Sequence, residues 1–147
     1  MEWSGQQERV DTLIKLAAFD VDGTLKEKEY LPASAAAALG KLRAAGVTLA
    51  LCTGRSVYEL AALRRELGIA WTIACNGSLV ARDGEPVFGR PFEPSVIRRW
   101  LATAARLDHG VLLYGAHGMY VNRADDPLFR QAQAEIGMLE PEVLAPE

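Results

Sequence analysis

Leu13-Ile14-Lys15-Leu16-Ala17-Ala18-Phe19 runs without a break into Asp20-Val21-Asp22-Gly23-Thr24-Leu25. The first seven residues read as a strand buried on both faces. The next six place two carboxylates at its tip. On an extended chain residues two apart point to the same side, so Asp20 and Asp22 face one mouth, and Gly23 lets the chain turn away at once. In a parallel sheet that mouth lies at the carboxyl ends of the strands, where α/β proteins bind their ligands. Two anions this close repel, so either a cation sits between them or one is protonated near neutral pH. Mg²⁺ suits a site of one or two carboxylates completed by water and phosphate oxygens. An ionised Asp can attack phosphorus, and a second can give a proton to the leaving oxygen.

The surrounding pattern supports a parallel sheet. Apolar runs of strand length alternate with amphipathic stretches of helix length. A helix is expected over Ala33–Ala45, closed by Gly46, followed by a strand over Val47–Cys52. Ser56 is expected to cap a second helix that carries Leu60, Leu63 and Leu67 on one face and ends at Gly68. A third strand covers Trp71–Cys75. Beyond Asn76, two short strands flank Asp83-Gly84, a strong hairpin signal. A helix from about Pro94 to Leu107, strands at Val111–Tyr114 and Met119–Val121, and a helix begun by Pro127 complete the chain. The expected fold class is therefore α/β, a Rossmann-like parallel sheet with flanking helices over residues 1–77, followed by a smaller α/β part over 78–147.

Two further strand ends carry chemistry. Cys52-Thr53-Gly54-Arg55 offers a hydroxyl and free backbone N–H groups at a strand-to-helix turn, a phosphate cradle if the helix dipole contributes. Thr53 is equally an ordinary strand-end residue beside an ordinary N-cap. Arg55 reaches either a leaving group or Glu59 one turn along. Cys75-Asn76-Gly77 is first of all a turn.

The Phe19–Leu25 segment resembles motif I of the haloacid-dehalogenase-like (HAD) phosphohydrolases. The order Asp-x-Asp-Gly-Thr, Thr-Gly-Arg and Asn-Gly, each at a strand end, is similar to the Cof-type, or subclass IIB, members. The resemblance implies a partial HAD core followed by part of a subclass IIB α/β cap. It implies Asp20 as nucleophile, Asp22 as general acid/base, and Mg²⁺ held by the Asp20 carboxylate and the Asp22 backbone carbonyl. Thr53, Gly54, Arg55 and Asn76 are then the phosphate- and substrate-binding residues. The implied function is Mg²⁺-dependent hydrolysis of a small phosphorylated metabolite, such as a sugar phosphate or a cofactor phosphate.

Two features of the family are missing from the sequence. A motif III Lys or Arg and a motif IV acidic pair follow the cap in the family, whereas no Lys follows Lys41 here. Asp125-Asp126 precedes Pro127 and reads as a helix entrance, not as motif IV. The 147 residues are therefore expected to be the amino-terminal part of a longer product and inactive alone. In the family the first strand lies mid-sheet; without the later strands it becomes an apolar edge. The alternatives are a non-catalytic phosphate- or partner-binding protein and, with less in its favour, a phospho-accepting signalling module.

Composition narrows the field. The chain has 147 residues, a formal net charge of −3 and 50% hydrophobic residues, enough for a core without disulfides or structural metal. Its acidic balance removes the electrostatic reason to expect a nucleic-acid or membrane-surface partner. No apolar run approaches the ~18 residues of a membrane span and the start lacks a signal-like apolar stretch, so a cytoplasmic location is expected. Cys52 and Cys75 each end an apolar run and are expected as small buried hydrophobes in a reducing compartment. Trp71, Trp100 and Tyr114 are expected in the core. His109 and His117, in or beside glycine turns, are assigned no role.

Overall fold

The computed structural model describes residues 14–27, 30–115, 118–136 and 139–144. Strand β1 (Leu16–Phe19) pairs in parallel with β2 (Thr48–Cys52), and β2 pairs in parallel with β3 (Trp71–Ala74). The intervening helices are α1 (Ala33–Ala44) and α2 (Ala61–Leu67). The hairpin β4 (Leu79–Arg82) and β5 (Glu85–Gly89) continues the sheet antiparallel to β3, giving the order β1-β2-β3-β4-β5. Its turn holds both Asp83 and Gly84 at positive φ, the geometry that favours Asp-Gly in a two-residue hairpin. The hairpin is thus hydrogen-bonded into the first sheet, and the second sheet begins only at Leu112.

That second sheet has the order β6 (Leu112–Tyr114), β7 (Met119–Val121) and β8 (Glu142–Val143). It follows α3 (Pro94–Arg106), and α4 (Pro127–Ile136) lies between β7 and β8. Asp126 Oδ1 accepts from the Leu128 and Phe129 amides, so the expected helix entrance at Asp125-Asp126-Pro127 is present and capped. The two-residue β8, parallel to β7, has no counterpart in the sequence expectations, because Glu-Val between prolines carries no periodic signal.

The core forms around the central parallel pair. Val21, Leu49, Leu51, Leu60, Leu63, Leu67 and Ile69 are buried together, with Leu39 and Val47 from the α1 side. Leu51 is 0% exposed and sits in the strand flanked on both sides.

Several expectations fail, each for a physical reason. Leu13–Phe19 was expected to be buried on both faces. Leu13 lies outside the described residues, and Ile14 and Leu16 are 62% and 56% exposed, because among the described residues β1 has only β2 as neighbour. The expected apolar edge is what the structure contains. Cys52 is exposed and Cys75 half-buried, since both lie at the sheet's open carboxyl end. Trp100 and Tyr114 lie at the surface, 46% and 40% exposed, and Trp71 is half-buried with the Arg82 guanidinium 5.5 Å from its ring centre. His109 is exposed, and His117 lies outside the described residues. No helix among the described residues is long and apolar enough to cross a membrane.

Because Leu51 has no solvent contact, Leu51→Ala should destabilise the fold by about 2–5 kcal/mol. Urea unfolding followed by circular dichroism measures this; a change below about 1 kcal/mol would show that the site collapses without strain.

Candidate functional site

Three strand ends meet at one edge of the sheet; backbone hydrogen bonds join the ends of β2 and β3, and the Arg55 side chain joins the end of β1 to them. The Thr53 amide donates to the Ile73 carbonyl at 2.9 Å, carrying the β2–β3 ladder one step past β2. The Asn76 amide returns to the Thr53 carbonyl at 3.2 Å, and the Cys75 amide donates to the Arg55 carbonyl at 2.9 Å. The segments Thr53–Arg55 and Cys75–Asn76 are therefore fixed against each other. Cys75 and Asn76 take positive φ of 50° and 55°, an uncommon conformation for residues with side chains, held here by the bonds their amides donate to Arg55 and Thr53. Gly54 lets Asn76 come close: a Cβ there would stand 3.1 Å from Asn76 Oδ1 and push that side chain back.

The motif I carboxylates join this edge through Arg55. Its Nε and Nη2 donate to the two oxygens of Asp22 at 2.8 and 2.7 Å, a bidentate pair spanning 33 residues of sequence. Asp20 accepts from the Thr24 hydroxyl through Oδ2 at 2.9 Å. Backbone bonds from Leu25 and Lys26 to the Val21 carbonyl, and from Gly23 to the Lys26 carbonyl, fold the chain back directly after Asp22, and Gly23 supplies the φ of 76° this requires. Asp20 and Asp22 are exposed at the mouth, whereas Val21 between them is buried, the alternation an extended chain imposes.

Thr53 is 7% exposed, and its Oγ1 accepts from the Arg55 amide at 3.2 Å. One expected feature is corrected here. The sequence placed Thr53-Gly54-Arg55 at a helix N-terminus, but α2 begins at Ala61, beyond a turn over Ser56–Leu60. Ser56 and Glu59 still form a reciprocal capping box: Glu59 Oε2 accepts from the Ser56 amide at 2.9 Å, and the Glu59 amide donates to Ser56 Oγ at 3.3 Å. The cap organises the turn. A cradle for an anion here rests on turn amides and side chains, not on a helix dipole.

A hard divalent cation is compatible with this donor set. Asp20 Oδ1 accepts no hydrogen bond from the described residues, and both motif I side chains offer only oxygen. Both Asp22 carboxylate oxygens face Arg55, which leaves that residue's backbone carbonyl as its contribution to a metal. No group of three or more His, Cys, Asp and Glu that could hold a metal occurs among the described residues, so water and phosphate oxygens would have to complete the shell.

The comparisons fit this arrangement. A family model for haloacid dehalogenase-like hydrolases matches residues 17–142. The chain belongs to that family. It is 30% identical over 114 residues to the putative phosphatase YkrA of Bacillus subtilis, covering 77% of this chain and 44% of YkrA. It is 30% identical over 119 residues to the HMP-PP phosphatase of Yersinia pestis, covering 79% of this chain and 44% of that protein. The fold superposes with a TM-score of 0.75, at 20% identity, on the subclass IIB sugar phosphatase BT4131, covering 89% of this chain and 52% of that one. The HAD-like chain thus spans less than half the length of the curated relatives it matches.

Sequence reasoning missed two side chains beside the site. One Glu59 carboxylate oxygen, Oε1, is buried without a hydrogen-bond partner. Tyr114, from β6 in the second sheet, lies within electrostatic reach of Glu59, Cys75 and Arg55. Burial, followed by the Glu59 charge, raises the Cys75 thiol above its ordinary range. Replacing Glu59 by Gln removes the smaller of these causes, so more thiolate should be present at pH 8 and Cys75 should alkylate faster. Iodoacetamide labelling of Glu59→Gln in a Cys52→Ser background, with circular dichroism to verify folding, checks this; an unchanged or slower rate would contradict it.

Proposed function

We propose that this HAD-like chain carries the phosphoryl-accepting part of a Mg²⁺-dependent phosphomonoester hydrolase acting on a small phosphorylated metabolite. The observation that carries the proposal is the hydrogen-bonded meeting of three strand ends, which sets Thr53, Gly54 and Asn76 beside Arg55 and, through it, Asp22. An aspartate pair at a strand tip, a buried threonine and an arginine on adjoining tips suit a phosphate dianion. The relative named HMP-PP phosphatase supports the reaction class, and the proposed substrate is a sugar phosphate or a cofactor phosphate.

In the first step an Asp20 oxygen attacks phosphorus while the bond to the leaving oxygen breaks, and Asp22 gives that oxygen a proton. Water then attacks the aspartyl-phosphate phosphorus, Asp22 takes the water's proton, and inorganic phosphate leaves with Asp20 restored. Arg55 occupies both Asp22 oxygens in the structure. An arriving phosphate dianion competes for the guanidinium and frees an Asp22 oxygen to hold the proton. Thr53, Gly54 and Asn76 bind the phosphate oxygens. Mg²⁺, held by the Asp20 carboxylate and the Asp22 backbone carbonyl, would neutralise charge between carboxylate and phosphate.

Residues 1–77 are proposed as the first part of the catalytic core and 78–147 as part of a subclass IIB-type cap, in a cytoplasmic protein. The alternative to this reading is binding of phosphate or of a partner without turnover.

In the full gene product that carries these residues, Asp20→Asn should lower Mg²⁺-dependent hydrolysis of p-nitrophenyl phosphate by a factor on the order of 1,000 or more while leaving the circular dichroism spectrum unchanged. Chelation with EDTA should also abolish turnover, and added Mg²⁺ should restore it. Asp20→Asn activity within about tenfold of wild type would remove Asp20 from the nucleophile's role. Phosphate binding with no hydrolysis by the wild type would favour the alternative.

A further inference from the structure

A cavity of about 440 Å³ adjoins the phosphate side of the site, bounded by the turn at Cys75 and Ser78, the outer hairpin and Tyr114 of the second sheet. We infer that this cavity receives the alcohol portion of the substrate, and that Arg90 selects an alcohol carrying an anionic group of its own; the inference rests on the phosphatase proposed above.

Position is the first support. Cys75 lines the cavity and directly precedes Asn76, and its amide is bonded to Arg55, so a phosphate held at Gly54 and Asn76 has its ester oxygen beside the cavity. The Arg90 amide donates to the Ser78 carbonyl at 2.9 Å, and Ser78 in turn donates through its amide and hydroxyl to the Cys75 carbonyl. Arg90 is thereby anchored to the turn that carries Asn76.

Wall chemistry is the second. Leu79, Pro86, Val87, Phe88 and Pro91 give an apolar lining, and Val87 and Phe88 are 55% and 53% exposed. A flat or apolar body would cover that surface. Among the described residues, Arg90 is the one lining residue with a cationic side chain, and no ion pair joins it to another described residue. The neighbouring arginines differ: Arg82 lies beside Asp83 and over Trp71, and Arg64 reaches Asp83. A guanidinium without a carboxylate, over an apolar floor and next to a phosphate site, fits a second anionic group on the ligand.

The second sheet closes the far side. Burial, then Glu59 and Cys75, raise the Tyr114 phenol above its usual range despite an opposing effect of Arg55, so its hydroxyl is a neutral donor at physiological pH. Glu59, half-buried, is not part of the lining and is engaged with Ser56 through Oε2. An anion in the cavity therefore meets Arg90 and the Tyr114 hydroxyl.

The test is binding, which does not depend on turnover. Phenylphosphonate, 3-phosphonobenzoate and 4-phosphonobenzoate are titrated calorimetrically into the full gene product with Mg²⁺. At least one carboxylated probe should bind about fivefold more tightly than phenylphosphonate, the upper range of a solvent-exposed ion pair. Arg90→Gln should bring that ratio close to one, Arg90→Lys should keep part of it, and Arg82→Gln on the same hairpin should leave it as in wild type. Equal affinities in wild type, or a preference that persists in Arg90→Gln or falls equally in Arg82→Gln, would overturn the inference while leaving the phosphatase proposal standing. Failure of all three phosphonates to bind wild type would overturn both.

Discussion

The parallel register between β2 and β3 is the constraint from which the rest of the site follows. Pairing Cys52 with Ile73 brings both strands to an end at nearly the same level, so the Asn76 amide can donate to the Thr53 carbonyl across the gap. The β1–β2 register sets Phe19 opposite Leu51, which carries Asp20 and Asp22 to that same level. Backbone geometry thus assembles side chains from residues 20, 53 and 76 without any direct bond between Asp20 and Thr53. Buried Leu51 and Ile69 anchor this arrangement from below, and the exposed tips are free to carry polar groups that a core would penalise.

Arg55 connects the tips electrostatically. Its guanidinium is mostly buried while its partner Asp22 is 40% exposed, so a fixed side chain cancels the Asp22 charge and sets a cation within reach of the mouth. Phosphate recognition needs such charge, because two carboxylates alone repel a dianion. The same arginine that holds Asp22 in the ligand-free arrangement is the group a phosphate would attract first, and under the proposed mechanism binding and proton delivery are linked through it.

Much of this was legible in the sequence. Alternating apolar runs and helical stretches fixed the order of elements, Asp83-Gly84 marked the hairpin turn, and Phe19–Leu25 placed the carboxylates at a strand end. What failed depended on distant partners. The apolarity of Leu13–Phe19 states that a strand is favourable there but not how many neighbours it has, so the exposure of Ile14 and Leu16 could not be read from it. Ser56 does act as a cap, paired reciprocally with Glu59, yet it closes a turn rather than opening a helix, and Glu59 is read from the sequence only as a partner for Arg55. The Arg55–Asp22 pair spans 33 residues, and Tyr114 approaches the site only because β6 lies near the Cys75 turn. Neither contact leaves a local signal.

The central claim is that Asp20 accepts the phosphoryl group. The most direct measurement is borohydride reduction of the full gene product quenched during turnover of an aryl phosphate, followed by peptide mass spectrometry. An acyl phosphate on Asp20 would be reduced to homoserine at position 20, absent from samples without substrate. Reduction at Asp22 instead, or at neither residue while hydrolysis proceeds, would contradict the account.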